Sequence, residues 1–296
     1  MASSTSSFFI DGPSKDMGYV NARDRADCSK YRKFVEQLWA RYQPLADTHF
    51  RDDARNHFLQ RFWEMYLAVV LMERGHQLQR GGDEGPEFFS MIGSKRVWFE
   101  AIAPNGGTGS DKVPNDNVYS EVYSVPTEKI LLRFTNALSE KREKYKTALD
   151  KRIISSEDFY ILAVNSRGIP NGWDGNRLPY YLQAFLPIGP LTLELDVKTN
   201  RVKDSFYEHR PEISKLNGSL VSTNSFLDEN TSFCSAVIHS YADCTINLTR
   251  LGDEISILHN PKAEHKLDTS LFGWCEQFTY KDNKLHRADG RPQNVE

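Results

Sequence analysis

Glu87 and Glu100 are the two residues whose placement could do chemistry. The segments Glu87 to Ile92 and Val97 to Pro104 are rich in aromatic and β-branched residues and read as strands. Between them lies Gly93-Ser94, a pair suited to a two-residue type II′ turn, because glycine accepts positive φ at the first central position. That turn predicts a register. Ile92 faces Lys95, Met91 faces Arg96, Phe89 faces Trp98, and Glu87 stands opposite Glu100 on the same face. Side chains so paired have Cβ atoms about 4.5–5.5 Å apart, and two carboxylates there repel unless a proton or cation is shared. Mg²⁺ or Mn²⁺ takes oxygen ligands and keeps several waters, leaving positions for a phosphate oxygen and a nucleophilic water. A slip of one residue would instead send one Glu to solvent as an ordinary surface charge.

The elements that must hold this pair follow from periodicity. A helix over Tyr31 to Tyr42 carries Phe34, Val35, Leu38, Trp39 and Tyr42 at helical spacing. A second is expected from Asp53 to Glu73. Between Phe58 and Met72 only Gln60, Arg61 and Glu64 are polar, so this helix is buried nearly all round. His76 to Arg80 reads as a short strand before the hairpin. Thr127 to Leu149 is a long helical pattern with Leu131, Phe134, Leu138, Tyr145 and Leu149 on one face, and Lys141 sits within that stripe. A lysine there either reaches buried carboxylates or lays its stem over the stripe and extends its charge to water. Lys and Arg outnumber acids along this helix, which suits a phosphate-facing edge or a solvated face. Asp158 to Asn165 reads as a buried strand.

The order helix, three strands, helix, strand is therefore expected. With Gly85-Pro86-Glu87 and Glu100-Ala101-Ile102, residues 58 to 166 resemble the PD-(D/E)XK superfamily of metal-dependent nucleases. The resemblance implies an α/β fold with a restriction-endonuclease-like α-β-β-β-α-β core and a mixed sheet flanked by helices. It implies Pro86-Glu87 at the proline-aspartate position, Glu100 as the second acid, and Glu64 as the acidic residue of the preceding helix. At the lysine position stands Ile102. Some members supply that lysine from the following helix, which points to Lys141, since Lys95 lies at the far end of the hairpin and Lys144 falls off the apolar stripe. The implied activity is Mg²⁺- or Mn²⁺-dependent hydrolysis of phosphodiesters, DNA being the expected substrate, with Glu87 and Glu100 as metal ligands and Glu64, Glu87, Glu100 and Lys141 as catalytic residues. Bacterial defence or repair is the usual service of such nucleases. Ile102 also leaves open a nuclease-like binding or assembly subunit without catalysis.

Composition sets the outer bounds. The chain has 296 residues, 39% hydrophobic and 12% aromatic, enough to bury a core. Its formal charge of −3 disfavours coating nucleic acid non-specifically, so a polyanion site must be local. No apolar run is long enough for a membrane span and no signal-peptide pattern is visible, so a cytoplasmic protein is expected. Cys28, Cys234, Cys244 and Cys275 form no metal-binding spacing. Residues 1–25 read as a loose arm. Residues 26–296 read as one domain: a core over 53–170, a β-rich extension over 171–275 that continues the sheet and could shape a substrate groove or oligomer interface, and a loose tail over 276–296.

Overall fold

The computed structural model describes residues 6–115, 124–173 and 178–290. Four helices come first: α1 (Met17–Asp24), α2 (Ser29–Tyr42), α3 (Phe50–Ala54) and α4 (Phe58–Glu73). Then follow β1 (Gln79–Arg80), β2 (Phe88–Ile92), β3 (Lys95–Ile102), α5 (Thr127–Asp150) and β4 (Phe159–Asn165). The remainder comprises α6 (Tyr180–Phe185), β5 (Ile188–Asp196), β6 (Arg201–His209), β7 (Glu212–Ser214), β8 (Leu220–Ser222), β9 (Ala236–Ser240), β10 (Ser256–His259), β11 (Glu276–Lys281) and β12 (Lys284–Asp289). Eight strands form one mixed sheet in the order β1-β2-β3-β4-β9-β10-β11-β12. The pairs β3–β4, β4–β9 and β10–β11 are parallel, and the others antiparallel.

Strand alternation divides the core. Val97, Phe99 and Ala101 of β3, with Ile161 and Ala163 of β4, face α4, whose residues Phe62, Trp63 and Met65 to Leu71 are wholly buried. The Trp63 indole adds a hydrogen bond to the Ala163 carbonyl at 3.0 Å. Trp98, Tyr160, Leu162 and Val164 point the other way, where α5 and α6 cover them. Glu100 belongs by alternation to this second face, the face of α5.

Several expectations are corrected. The continuous helix over 53–73 is two helices, because Asn56-His57 break the path and the Asp16 carboxylate accepts from Phe58 N at 2.9 Å. That same carboxylate caps α1 through Gly18 N and Tyr19 N. Residues 6–25 are not a loose arm. Phe8 is fully buried among Phe9, Tyr19, Trp39, Phe50 and Phe58, and the Trp39 indole donates to the Ser6 carbonyl at 2.8 Å. Residues 1–5 lie outside the described residues. Nor is 276–289 a loose tail: Phe278 and Tyr280 are buried at alternate positions, and Asp282-Asn283, both at positive φ, turn β11 back into β12. Only 291–296, at its end, lie outside the described residues. Within 171–275, β9 and β10 do extend the main sheet. In contrast, β5 and β6 form a separate two-stranded ribbon, as do β7 and β8. Of the expected strand 76–80, only Gln79 and Arg80 pair.

Candidate functional site

The β2–β3 hairpin has the expected register, with Ile92 opposite Lys95, Phe89 opposite Trp98 and Phe88 opposite Phe99. Gly93 takes φ +60° in the turn. Pairing stops at Phe88, and the next residues in register are Glu87 and Glu100. Past that point β3 has a free edge whose polar groups need other partners. The Glu87 carboxylate supplies one, accepting from Ala101 N at 2.7 Å. Gln60 of α4 supplies two more: its amide donates to the Ala101 carbonyl at 3.2 Å and accepts from Ala103 N at 2.7 Å. The turn that delivers Glu87 is held by Gly81, whose amide donates to the Glu87 carbonyl at 3.0 Å. A Cβ on Gly81 would come within 1.8 Å of the Pro86 carbonyl oxygen, so only glycine fits there.

Glu100 and Lys141 are buried, at 3% and 6% exposure, and the Lys141 ammonium donates directly to Glu100 Oε1. Lys144 approaches the same oxygen at 3.7 Å while keeping most of its side chain in water. Lys144 was expected to fall off the stripe. Its backbone position does lie beside it, but four methylenes bridge the difference. Glu64, at 3% exposure, hangs from α4 near the rim of β3, where it accepts from Gln60 at 2.9 Å and pairs with Arg61 at 2.8 Å. It therefore contributes charge to the cluster from the helix on the opposite face, with its two oxygens already engaged.

Charge balance explains the titration behaviour. Burial pushes the Glu87 carboxyl well above its ordinary range, and repulsion from Glu100 and Glu64 adds to this against the pull of Lys141. Glu64 is raised by burial too, against the pull of Arg61 and Gln60. For Lys141, burial disfavours the ammonium, but Glu100 and then Glu87 outweigh it, and the group sits above its usual value. Burial raises Tyr42 well above normal, followed by the nearby Glu64 and Glu87. Gln60 is a member of the cluster that the acids and lysines alone did not point to. For Gln60 the signal was present, as one of three polar positions in an apolar helix, four residues before Glu64.

A cleft of about 360 Å³ opens onto Glu100 and Tyr160. Its walls include Asp83, Glu84, Glu140 and Glu143, with Lys144 as the cation. Such a lining favours a cation more than a bare polyanion. Among the described residues no three of His, Cys, Asp and Glu come together as a metal-holding group. A metal here would rest on Glu87 and Glu100 alone, with the remaining positions left to water or substrate oxygen, which Mg²⁺ tolerates. The repulsion between the half-buried Glu87 and buried Glu100 carboxylates would be relieved by such an ion. Ile102, at the residue-type departure noted above, is partly buried and packs on the apolar core beneath α5. Trp173 is exposed with Arg167 over its ring, whereas Tyr181 and Phe185 are core. Among the described residues no helix is long and apolar enough to cross a membrane. The chain matches no family model, no curated protein and no solved structure.

Proposed function

We propose that this chain is a divalent-cation-dependent phosphodiesterase acting on DNA, built on a restriction-endonuclease-like core of α4, β1, β2, β3, α5 and β4. The carrying observation is the buried Glu100–Lys141 pair beside half-buried Glu87 at the end of the β2–β3 hairpin, with Glu100 lining a cleft. Glu87 and Glu100 would hold Mg²⁺ or Mn²⁺, which when bound supplies Lewis acidity and a water of lowered pKa. The chain's own groups do the rest. Gln60 and the Ala101 amide fix β3 and Glu87, so that the carboxylates do not reorganise as charge develops. Glu64 and Arg61 set the field behind them. Lys141, held by Glu100, is positioned to turn its ammonium toward a scissile phosphate and stabilise the added negative charge in place of a lysine at Ile102. Lys144, reaching the same oxygen from water, would contact the substrate backbone.

The test is cleavage of single- and double-stranded DNA with Mn²⁺ or Mg²⁺, paired with thermal shift. Wild type should cleave and melt higher with metal; Glu100→Gln should do neither; Lys141→Ala should lose on the order of 10²-fold in rate while keeping the metal-dependent shift. Identical metal response of wild type and Glu100→Gln rejects the site.

A second reading, a nuclease-like binding or assembly subunit without catalysis, is favoured by one observation. Lys141 already neutralises Glu100, and the cleft walls are acidic. In that case wild type binds no Mn²⁺, and Lys141→Ala destabilises the fold without altering any activity.

A further inference from the structure

Tyr160 stands in β4 two residues before Leu162, the strand partner of Glu100, and alternation puts its ring on the Glu100 face. It is 1% exposed and lines the same cleft. The ring is held from two sides. Tyr145 packs at 5.1 Å, nearly perpendicular, and Phe233 at 5.6 Å, so the phenol has little freedom to swing. Its hydroxyl makes no hydrogen bond among the described residues, yet it is not sealed off from the cleft. A buried polar group without a partner is rare in a native fold. Burial, and after it the neighbouring Glu100, holds the phenol well above its usual pKa, so it stays a donor. Tyr145 also lines the cleft, but the acids nearest its hydroxyl are Glu264 and Asp158, in another part of the wall.

The surroundings select what this hydroxyl binds. Lys141 and Lys144 both engage Oε1 of Glu100, and Oε2 makes no hydrogen bond or ion pair among the described residues. With Asp83, Glu84, Glu140 and Glu143 on the walls, the cleft is rich in acceptors and poor in donors. The waters of a hydrated cation are themselves donors, and the carboxylates take them up. A phosphate oxygen is an acceptor, and few groups in this cleft can receive it.

We propose that the Tyr160 hydroxyl is a substrate-binding donor, which hydrogen-bonds a non-bridging oxygen of the phosphate held beside Glu100. A neutral donor suits this place, because the acids cannot capture it as an ion pair in the way that Glu100 captures Lys141. The ring is already fixed, so the bond costs no reorganisation as charge builds on the phosphate. The inference rests on reading the cleft as a phosphodiesterase site, and it adds a residue which that reading did not use.

Tyr160→Phe keeps the ring and removes only the hydroxyl. In oligonucleotide cleavage with Mn²⁺, the variant should lose about tenfold or more in kcat/KM. Its melting temperature and metal-dependent shift should match wild type, because the hydroxyl bonds no other group of the protein. Calorimetric titration with thymidine 5′-monophosphate and Mn²⁺ gives a second readout, in which the variant should bind about tenfold more weakly. Cleavage by the variant at the wild-type rate overturns the inference and leaves the phosphodiesterase reading standing. Phosphate binding that depends on the Tyr160 hydroxyl, in a protein that cleaves nothing, does the reverse. Binding indifferent to Tyr160→Phe, or neither binding nor cleavage, overturns the inference. So does a variant that melts well below wild type, since the hydroxyl would then be spent inside the fold.

Discussion

Glu87 is the residue on which the cluster presses hardest. Its folded-state pKa lies well above its ordinary 4.5, first through burial and then through Glu100 and Glu64. A carboxyl raised on folding holds its proton more tightly in the native state. Its stabilising effect is therefore complete below the unfolded value and declines as pH rises from about 4.5 toward the folded value. Glu87→Gln removes that decline. Without divalent cation, the variant should gain melting temperature relative to wild type at neutral pH and lose that advantage near pH 4.5, as read by thermal melts across pH in chelator. A variant whose stability relative to wild type is independent of pH contradicts the charge balance described above. The pair itself was legible in sequence, because a two-residue glycine turn and a period of two leave few registers. Lys141 was legible as a lysine inside an apolar stripe. Lys144 was not, because a stripe predicts Cβ direction and says little about the reach of a long side chain.

At the scale of elements, the ends of the parallel strands carry buried polar groups that the sheet must keep neutral. At the end of β9, His239 shares a hydrogen bond with the Ser166 hydroxyl at 2.9 Å and stacks on Tyr181 at 4.5 Å. Burial lowers its pKa to about 3 from 6.5. A histidine depressed on folding is neutral in both states above 6.5. Stability is then intact, and it is lost as pH falls from 6.5 toward 3, at a rate of at most about 1.4 kcal/mol per pH unit. His239→Gln cannot take the proton. Denaturant midpoints should therefore fall less steeply with acid for the variant than for wild type, whatever its absolute stability; parallel curves would mean that His239 is hydrated. Strands that are continuous apolar runs buried on both faces, such as β3 and β4, were readable. The β11–β12 pair was missed because β12, with Lys284, His286 and Arg287, is a polar edge strand that presents almost no apolar signal. The Asp282-Asn283 turn was its one local mark.

Over the whole molecule, the first helices and the segment before them close one side of the sheet. Phe8 is the most telling contact, since it lies before any regular element yet is wholly buried among aromatic rings. Phe8→Ala should cost about 3–5 kcal/mol in chemical denaturation, the range for emptying an aromatic site in a packed core. A loss below about 1 kcal/mol would return this segment to the status of an arm. Serine-rich composition hid it, because one phenylalanine pair in a polar stretch has no period to detect. The parallel pairing of β4 with β9 has a further consequence, for synthesis. Residues 161–165 of β4 join 236–240 of β9, so one edge of the central strand waits for a distant stretch of chain. Contact order is correspondingly high, and on the ribosome the first half of the sheet emerges with an apolar edge that nothing yet covers. A nascent chain halted near residue 170 should therefore be held by chaperones or self-associate, and release should come only once β9 has cleared the exit tunnel.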